Sequence, residues 1–457
     1  MPRIAVAQTP GARLDQWPET LELLAELVQR AAAQRAALLV LPECVWPAYH
    51  IGSKQAYFAA RTAGLPGHRQ FLDKLSTWAR EYNLAICAGY IAEDGDRLFN
   101  AAGLLSPSGR ILGVYHKCFL WDFDRDWFEP GQTIEPLDSD IGRVGLMICA
   151  DARLPEIPAT LVHRGASLIA HPTAWVNVGG PDALWNPQPD FLVPARAKEF
   201  GVVIASASKW GAEGDTTFVG SSLICDAEGH VLAQCGPRET TVVSAEVGLT
   251  RPRAPRVRAT DRAVLLGPQP PMLRVVIHPP LTSEHAPAAP SAIAEQHSSP
   301  TLVIRTGIPA ARRAGASPRA GARTASLVGP RRGAFLLQGI CIAALSDEDA
   351  CGFAPIRALA LRGTHVVAVF GEKTDPVTLR ARAAENRVFI VAAGSTGAVV
   401  YDPGGKALAS CSWSSTTDNN RPKAPLTVTL DTAQATDKLV APRTDTLAGR
   451  NPSQYAF

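Results

Sequence analysis

The sequence predicts a layered α/β fold. Over the first 260 or so residues, short apolar runs alternate with stretches whose apolar residues recur at helical spacing, which is typical of a β-sheet covered by helices. Hydrophobic residues make up 46% and charged residues 19% of the chain, the balance of a globular protein with a sizeable core. At 457 residues the chain exceeds one typical domain, so we expect two units, or one large unit with an appendage.

Each expected element follows from its own pattern. The stretch at 17–33, for example, places Leu21, Leu24, Leu27 and Val28 along one helical face, and residues 37–41 then form a continuous apolar run. In chain order we expect strand 4–8, helix 17–33, strand 37–41, helix 67–82, strand 84–90, strands 101–105 and 111–114, strand 143–148, helix 155–164, strand 167–170, helix 191–200, strand 202–206 and a hairpin around 226–229.

The composition changes near residue 282 to Ala, Pro, Ser, Gly and Arg, and little there can form a core. We therefore predict a first domain at 1–265, a flexible Ala/Pro/Arg-rich linker at 266–332, and a smaller α/β segment at 333–457. The linker arginines could contact an acidic partner, but a solvated linker is the simpler interpretation.

The C-terminal segment repeats part of the first domain. Three matches in the same order make chance a poor explanation and indicate a degenerate half-domain. The matches pair residues 163–169 with 361–367, 196–204 with 382–390, and 226–233 with 402–409.

Charge and cysteine usage exclude several classes of function. The formal charge of +3 comes from 45 basic and 42 acidic residues, so we expect neither nucleic acid nor membrane as a partner. No stretch approaches the roughly 20 apolar residues of a membrane span. The nine cysteines are scattered without a C-x-x-C pair, so we expect no disulfide framework and no structural metal, and a cytoplasmic location.

Three reactive residues stand where predicted strands end. Glu43 follows Leu41-Pro42 and could act as a general base once burial raises its pKa. Lys117 follows the predicted strand 111–114 and could stabilise an oxyanion, while Cys149 lies between a strand and a helix, where backbone N–H groups favour a thiolate. Each has a simpler interpretation, as a strand-end polar residue, a solvated lysine or a buried structural cysteine.

Together and in this order, these residues resemble the nitrilase superfamily of carbon-nitrogen hydrolases. The family's catalytic triad lies in L-P-E, Y-x-K and C-x-D contexts, which Glu43, Lys117 and Cys149 share. The resemblance covers about residues 2 to 255 and includes the D-R-D-W-F-E-P-G segment that begins at Asp124. The family usually carries a second Glu just upstream of the aromatic-Phe-x-Pro-Gly part of this segment, and its place here is taken by the shorter Asp124. Cys149-Ala150-Asp151 is similar to amidase and carbamoylase branches, whereas nitrile-hydrolysing members typically show Cys-Trp-Glu.

The resemblance implies a four-layer α-β-β-α sandwich that assembles as a homodimer or higher homo-oligomer. It implies an enzyme without metal or organic cofactor that cleaves a small amide or N-carbamoyl compound through a cysteine thioester. The backbone N–H of Ala150 would join Lys117 at the oxyanion, and Trp175 would line the substrate pocket. The alternatives left open are a nitrilase, an acyl transferase and a non-catalytic scaffold. In the repeat, Asp347 takes the position of Cys149, so we expect that segment to be catalytically silent.

Overall fold

The computed structural model describes residues 1–180, 183–249, 272–279, 299–305, 323–330, 334–371, 375–413 and 424–456. The chain divides into two compact units. The first comprises Met1–Ala259, Ala441–Thr444 and Gly449–Phe457, and the second comprises Thr260–Val440 and Asp445–Ala448. Both predicted domain boundaries, at 265 and 332, lie outside the described residues.

The first unit contains two β-sheets with helices on their outer faces. Its strands are β1 (Arg3–Pro10), β2 (Leu38–Val40), β3 (Ala85–Asp94), β4 (Arg97–Leu105), β5 (Ile111–His116), β6 (Leu137–Ser139), β7 (Gly142–Leu146), β8 (Leu168–Pro172), β9 (Val203–Ala207), β10 (Lys209–Glu213), β11 (Thr216–Val219), β12 (Leu223–Cys225), β13 (Val231–Gln234) and β14 (Thr241–Glu246). Its helices are α1 (Trp17–Ala33), α2 (Lys54–Thr62), α3 (His68–Tyr82), α4 (Asp124–Trp127), α5 (Glu156–His163) and α6 (Val193–Phe200).

The two sheets pack face to face, with β1 against β9 and β12, and β2 and β3 against β8. The eight-stranded sheet runs β11-β10-β1-β2-β3-β4-β5 with β14 paired to β1, and the six-stranded sheet runs β13-β12-β9-β8-β7-β6. Helices α1 and α3 bury Leu24, Leu27, Phe71 and Leu75 in the core on the first sheet. Helices α5 and α6 contact β7 and β9 of the second sheet. The predicted four-layer α-β-β-α sandwich is therefore confirmed.

The predicted linker at 266–332 is wrong where the structure describes it, because three buried strands lie there: β15 (Met272–His278), β16 (Thr301–Arg305) and β17 (Thr324–Leu327). Leu273, Val275, Ile277, Leu302 and Ile304 are fully buried in the core of the second unit. Short apolar runs thus form strands although polar, proline-rich sequence separates them. Most of the remaining linker falls outside the described residues.

The rest of the second unit completes two further sheets. Its other strands, with the C-terminal hairpin, are β18 (Ala334–Leu337), β19 (Ile340–Ser346), β20 (Val366–Phe370), β21 (Phe389–Ala393), β22 (Gly397–Tyr401), β23 (Ala407–Ser412), β24 (Leu426–Asp431), β25 (Leu439–Ala441) and β26 (Thr444–Asp445). Its helices are α7 (Asp347–Cys351), α8 (Phe353–Leu361), α9 (Pro376–Asn386) and α10 (Ala433–Thr436).

The second unit repeats strands from both sheets of the first, which corrects the predicted half-domain. The order β17-β16-β15-β24 has the parallel, parallel and antiparallel pairings of β3-β2-β1-β14. The order β18-β19-β20-β21-β22-β23 likewise matches the pairings of β6-β7-β8-β9-β12-β13. The repeat therefore also includes four strands of the first sheet, and the predicted C-terminal end is wrong because residues 441–444 and 449–456 belong to the first unit.

Candidate active site

Glu43 lies just after β2, at the edge where the parallel strands end, and is fully buried. Its Oε1 accepts hydrogen bonds from Asn100 Nδ2 at 2.7 Å and from Lys117 Nζ at 2.7 Å. The backbone around it requires Gly89 on the neighbouring strand, since a Cβ there would lie 2.6 Å from Glu43 Cα and collide with the Pro42 carbonyl oxygen. Close passage of these two segments fixes the carboxylate at the strand edge.

Lys117 follows β5 and is also fully buried. Its ammonium bridges two carboxylates, at 2.7 Å from Glu43 Oε1 and 2.6 Å from Asp124 Oδ2, and lies 5.7 Å from the centre of the Tyr49 ring. Asp124 thus reaches Lys117 despite its short side chain. It does so because α4 begins at this residue. The Trp121 backbone N–H donates to Asp124 Oδ2 at 2.9 Å and so fixes the loop that precedes α4.

The electrostatics of this cluster favour a proton acceptor at Glu43. Burial, with a smaller effect from the Asp124 charge, raises the pKa of Glu43 above its ordinary value, and Lys117 opposes the shift. Burial lowers the pKa of Lys117, but the Asp124 and Glu43 carboxylates outweigh it, so that this pKa lies well above its usual range. Lys117 therefore stays charged while Glu43 is poised to take up a proton.

Cys149 opens a 3₁₀ turn, Cys149–Arg153, directly beyond β7. Its φ of 43° is in the left-handed region, a strained conformation for a side-chain-bearing residue and one that often marks a functional turn. Asp151 holds the turn by accepting hydrogen bonds from the backbone N–H groups of Ile148 and Phe119 and from the Tyr115 hydroxyl, each at 2.8 Å. Tyr115 and Phe119 flank Lys117, so the hydrogen bonds of Asp151 connect the turn at Cys149 to the segment that carries Lys117.

The thiol of Cys149 is protonated at neutral pH. Burial, followed by the negative charge of Glu43, raises its pKa to about 12, while Lys117 acts in the opposite direction. A helix or turn N-terminus would lower a thiol pKa, but here desolvation is the larger effect. Among the charges that act on this thiol, that of Glu43 raises its pKa most.

Two further predicted residues, Ala150 and Trp175, are fully buried. Ala150 follows Cys149 in the 3₁₀ turn. The Trp175 backbone N–H donates to Ser208 Oγ at 3.3 Å, and its ring lies 6.2 Å from that of His171 in an edge-to-face arrangement. Among the described residues, Trp175 Nε1 has no hydrogen-bond partner.

Sequence reasoning missed His171 on β8. Its Nε2 lies 3.2 Å from the Cys149 carbonyl oxygen and its Nδ1 lies 2.9 Å from Ser206 Oγ. Burial lowers the pKa of His171 to about 3, so the ring is neutral and Nε2 carries the proton that the carbonyl accepts. His171 thus orients the backbone of the cysteine, and a buried histidine in an apolar strand was the available signal.

Gln188 was missed as well, although its side chain lies beside the sulfur. Its Nε2 lies 3.9 Å from Cys149 Sγ, and only 2% of the residue is exposed. It opens a π-helical turn, Gln188–Leu192, just before α6. Such turns are often found at functional sites. The signal in the sequence is weak, a glutamine between Pro187 and Pro189.

Several buried polar atoms close to the cysteine have no hydrogen-bond partner among the described residues. Natively buried polar groups are nearly always satisfied, so a concentration of exceptions indicates a place where a polar ligand binds. The atoms are Glu43 Oε2, Asn100 Oδ1, Asp124 Oδ1, Thr173 Oγ1, Trp175 Nε1 and Gln188 Oε1.

A second buried ion pair supports the loop after Glu43. Lys209 Nζ and Glu213 Oε1 lie 2.6 Å apart, and each side chain is 1% exposed. Glu213 Oε2 accepts from the Tyr49 backbone N–H at 2.7 Å, and Lys209 donates to the Cys44 carbonyl at 2.9 Å. The pair was not recognised from the sequence, where its signal is two charges at same-face positions of β10.

A buried Glu-Lys-Asp cluster beside a cysteine on a sandwich of two sheets defines the class of protein. Residues 3–256 match the model of the carbon-nitrogen hydrolase family, which is more than half of the chain. The chain belongs to this family and is a carbon-nitrogen hydrolase enzyme.

Particular relatives are similar over the same region. A nitrilase of Pyrococcus abyssi is 33% identical over 233 residues, which are 51% of this chain and 84% of that protein. An omega-amidase of Homo sapiens is 32% identical over 229 residues, covering 48% and 79%. Among solved structures, a variant of an amidase from Nesterenkonia sp. AN1 is 26% identical with a TM-score of 0.47, covering 55% of this chain and 95% of that one. No helix in the described part of the chain is long and apolar enough to cross a membrane.

Proposed function

We propose that this enzyme hydrolyses the C–N bond of a small amide or N-carbamoyl compound through a thioester on Cys149. The observation that carries the proposal is the buried ammonium of Lys117, which lies 2.7 Å from the Glu43 carboxylate and alters the pKa of Cys149. Glu43 would therefore supply the base, Lys117 the positive charge and Cys149 the nucleophile that acyl transfer requires.

The chemistry begins with proton transfer from the Cys149 thiol to Glu43 as the sulfur attacks the amide carbon. The resulting oxyanion is stabilised by Lys117 and by the backbone N–H of Ala150. Glu43 then returns its proton to the leaving nitrogen, so that ammonia or an amine departs and the thioester remains. Glu43 next takes a proton from water, the hydroxyl adds to the thioester, and the acid leaves with the thiol restored.

Asp124 acts in this scheme through Lys117. Its Oδ2 fixes the ammonium at 2.6 Å and leaves Oδ1 without a partner among the described residues. Trp175 and Gln188 would line the pocket around the substrate. Because Cys149 is only 6% exposed, we propose a small substrate. On the family resemblance, we also propose a homodimer or higher homo-oligomer that needs no cofactor.

Nitrile hydrolysis is the second candidate, since the relative from Pyrococcus abyssi is named a nitrilase. Cys149-Ala150-Asp151 favours an amide instead. Both reactions would pass through a covalent adduct on the same sulfur, so the choice between them rests on the substrate.

The test is ammonia release from a panel of primary amides, N-carbamoyl compounds and nitriles. Wild type is compared with Cys149→Ala and with Cys235→Ala, which removes another buried cysteine of the first unit. We expect turnover of an amide or carbamoyl compound that is lost in Cys149→Ala and retained in Cys235→Ala. Turnover of nitriles alone would favour the second candidate, and equal turnover in Cys149→Ala would refute the cysteine mechanism.

A further inference from the structure

Two short C-terminal segments belong to the first unit, although most of the second unit precedes them in sequence. Residues 441–444 and 449–456, here called the C-terminal strap, are grouped with residues 1–259 by their contacts. Hydrogen bonds and an ion pair join the strap to the segments that carry Lys117 and Asp124 and to the helix that follows Cys149.

Arg443 holds the Asp124 segment from both sides. Its Nη1 and Nη2 donate to the two carboxylate oxygens of Asp126 at 2.8 and 2.9 Å, and its Nε donates to Asp122 Oδ1 at 3.1 Å. The hydroxyl of Thr444 accepts the Asp122 backbone N–H at 2.8 Å. Arg443 therefore contacts an aspartate on each side of Asp124. Its bidentate pair with Asp126 constrains the orientation of the two side chains as well as their distance.

Arg450 makes a buried ion pair with Glu156, the first residue of α5. Arg450 Nε lies 2.7 Å from Glu156 Oε1, and the side chains are 4% and 1% exposed. The Ala456 backbone N–H donates to Thr160 Oγ1 one turn further along α5, at 3.3 Å. Helix α5 begins just beyond the Cys149–Arg153 turn. By binding α5, the strap therefore fixes the helix into which this turn leads.

Gln454 adds a third contact, on the Lys117 side. Its Nε2 donates to the Gly131 carbonyl oxygen at 3.0 Å, while the Gly131 backbone N–H donates to the Lys117 carbonyl at 2.8 Å. A side chain at residue 131 would not fit, because its Cβ would collide with the His116 carbonyl oxygen. Gly131 thus links Gln454 of the strap to the backbone of Lys117.

We propose that the C-terminal strap is a positioning element of the active site, in which Arg443 and Gln454 fix the Asp124–Lys117 segment and Arg450 fixes the helix after Cys149. The inference rests on the proposed function, because it assigns these residues to the alignment of that chemistry. None of them contacts the reacting atoms. Their effect is on the geometry of Lys117 relative to the sulfur, where about 1 Å of misplacement can cost about a hundredfold in rate.

The experiment compares steady-state kinetics of full-length variants on the substrate found with the panel. Arg443→Met and Arg450→Met remove the two guanidinium groups, Arg443→Lys and Arg450→Lys keep the charge, and Arg3→Met is the control. Arg3 pairs with Glu246 at 2.9 Å on the same unit, away from these segments. We expect kcat to fall about ten- to a hundredfold in the Met variants with KM changed less than about threefold, and the Lys variants to recover part of the loss.

A second variant separates positioning from folding. Arg450→Met combined with Glu156→Gln removes both charges of this buried pair, so we expect a smaller loss of thermal stability than in Arg450→Met but still a low kcat. Wild-type kcat in this double variant and in Arg443→Met would overturn the inference. Loss of turnover in Cys149→Ala is measured in parallel, so a failure of the strap inference is distinguished from a failure of the proposed chemistry.

Discussion

Replacing Glu43 with glutamine should abolish catalysis while making the thiol more acidic. Glutamine keeps an oxygen for the hydrogen bonds from Asn100 and Lys117, both at 2.7 Å, but cannot accept the thiol proton. The negative charge of Glu43 is also the second largest cause of the raised pKa of Cys149, after burial. Removing it therefore lowers the pKa of Cys149.

The magnitude follows from that pKa. At a value of about 12, roughly one thiol in ten thousand is ionised at pH 8. The ionised fraction is larger in Glu43→Gln, whose thiol pKa is lower, but burial is the largest cause of the raised pKa and keeps most of the thiol protonated. Without its base the variant must react from the ionised minority, so we expect kcat/KM to fall about 10³- to 10⁴-fold, near the upper end of general-base contributions. This corresponds to ~4–5.5 kcal/mol of transition-state stabilisation.

Two assays on one protein preparation test this reasoning. Ammonia release gives kcat/KM, and the pH dependence of alkylation by iodoacetamide gives the apparent thiol pKa. Glu93→Gln is the matched control, because Glu93 is ion-paired with Arg61 at 2.8 Å on the same sheet and should leave both readouts within about twofold. Loss of less than tenfold in kcat/KM, or an unchanged or higher thiol pKa, would refute the role of Glu43.

Two other perturbations follow from the same electrostatics. Asp124→Asn removes a charge that raises the pKa of Glu43, so the acid limb of kcat/KM against pH should move to lower pH, and a shift upward would contradict the assignment. His171 stays neutral in the fold down to a pKa of about 3, whereas the unfolded chain binds that proton near pH 6.5. Protonation of His171 in the unfolded chain should therefore lower the unfolding free energy by ~2 kcal/mol from pH 6.5 to pH 5. His171→Gln should lack this component when the unfolding free energy is measured by urea titration at each pH. The same dependence of unfolding free energy on pH in both proteins would refute this reasoning.

The strand-end residues were predictable because their chemistry depends on position along a buried strand. Glu43 and Lys117 follow apolar runs that form β2 and β5 of the eight-stranded sheet, and Cys149 follows one that forms β7 of the six-stranded sheet. The apolar runs therefore indicated their positions at strand ends, whereas only the family resemblance implied that the three lie together. The sequence also left open whether Asp124 could reach Lys117, and only the start of α4 at that residue answers the question.

Residues that act through irregular backbone could not be found in this way. Gln188 reaches the sulfur from a π-helical turn, which has no repeating apolar pattern in sequence. The strands β15 and β16 were missed for a related reason. Their apolar residues, such as Val275 and Ile304, occupy short runs inside proline- and alanine-rich sequence. These residues are buried because β15 pairs with β16 and with the distant β24. Such tertiary pairing is not contained in a local window.

Both units contain an arginine-glutamate pair that supports the turn at the position of Cys149. In the first unit, Arg196 donates to the Ala152 carbonyl at 3.1 Å and pairs with Glu199 at 3.4 Å. In the second, Arg382 donates to the Ala350 carbonyl at 3.3 Å and pairs with Glu385 at 2.6 Å.

The register of β19 with β20 matches that of β7 with β8 and places Asp347 where the first unit has Cys149. The arginine-glutamate pair is thus present in both units, whereas the cysteine is present only in the first. We infer that the pair stabilises the junction between turn and helix in both units, and that the proposed reactivity depends on the separate set formed by Glu43, Lys117 and Asp124. A change at Arg196 should consequently appear first as lost stability, whereas a change at Glu43 should leave stability and remove turnover.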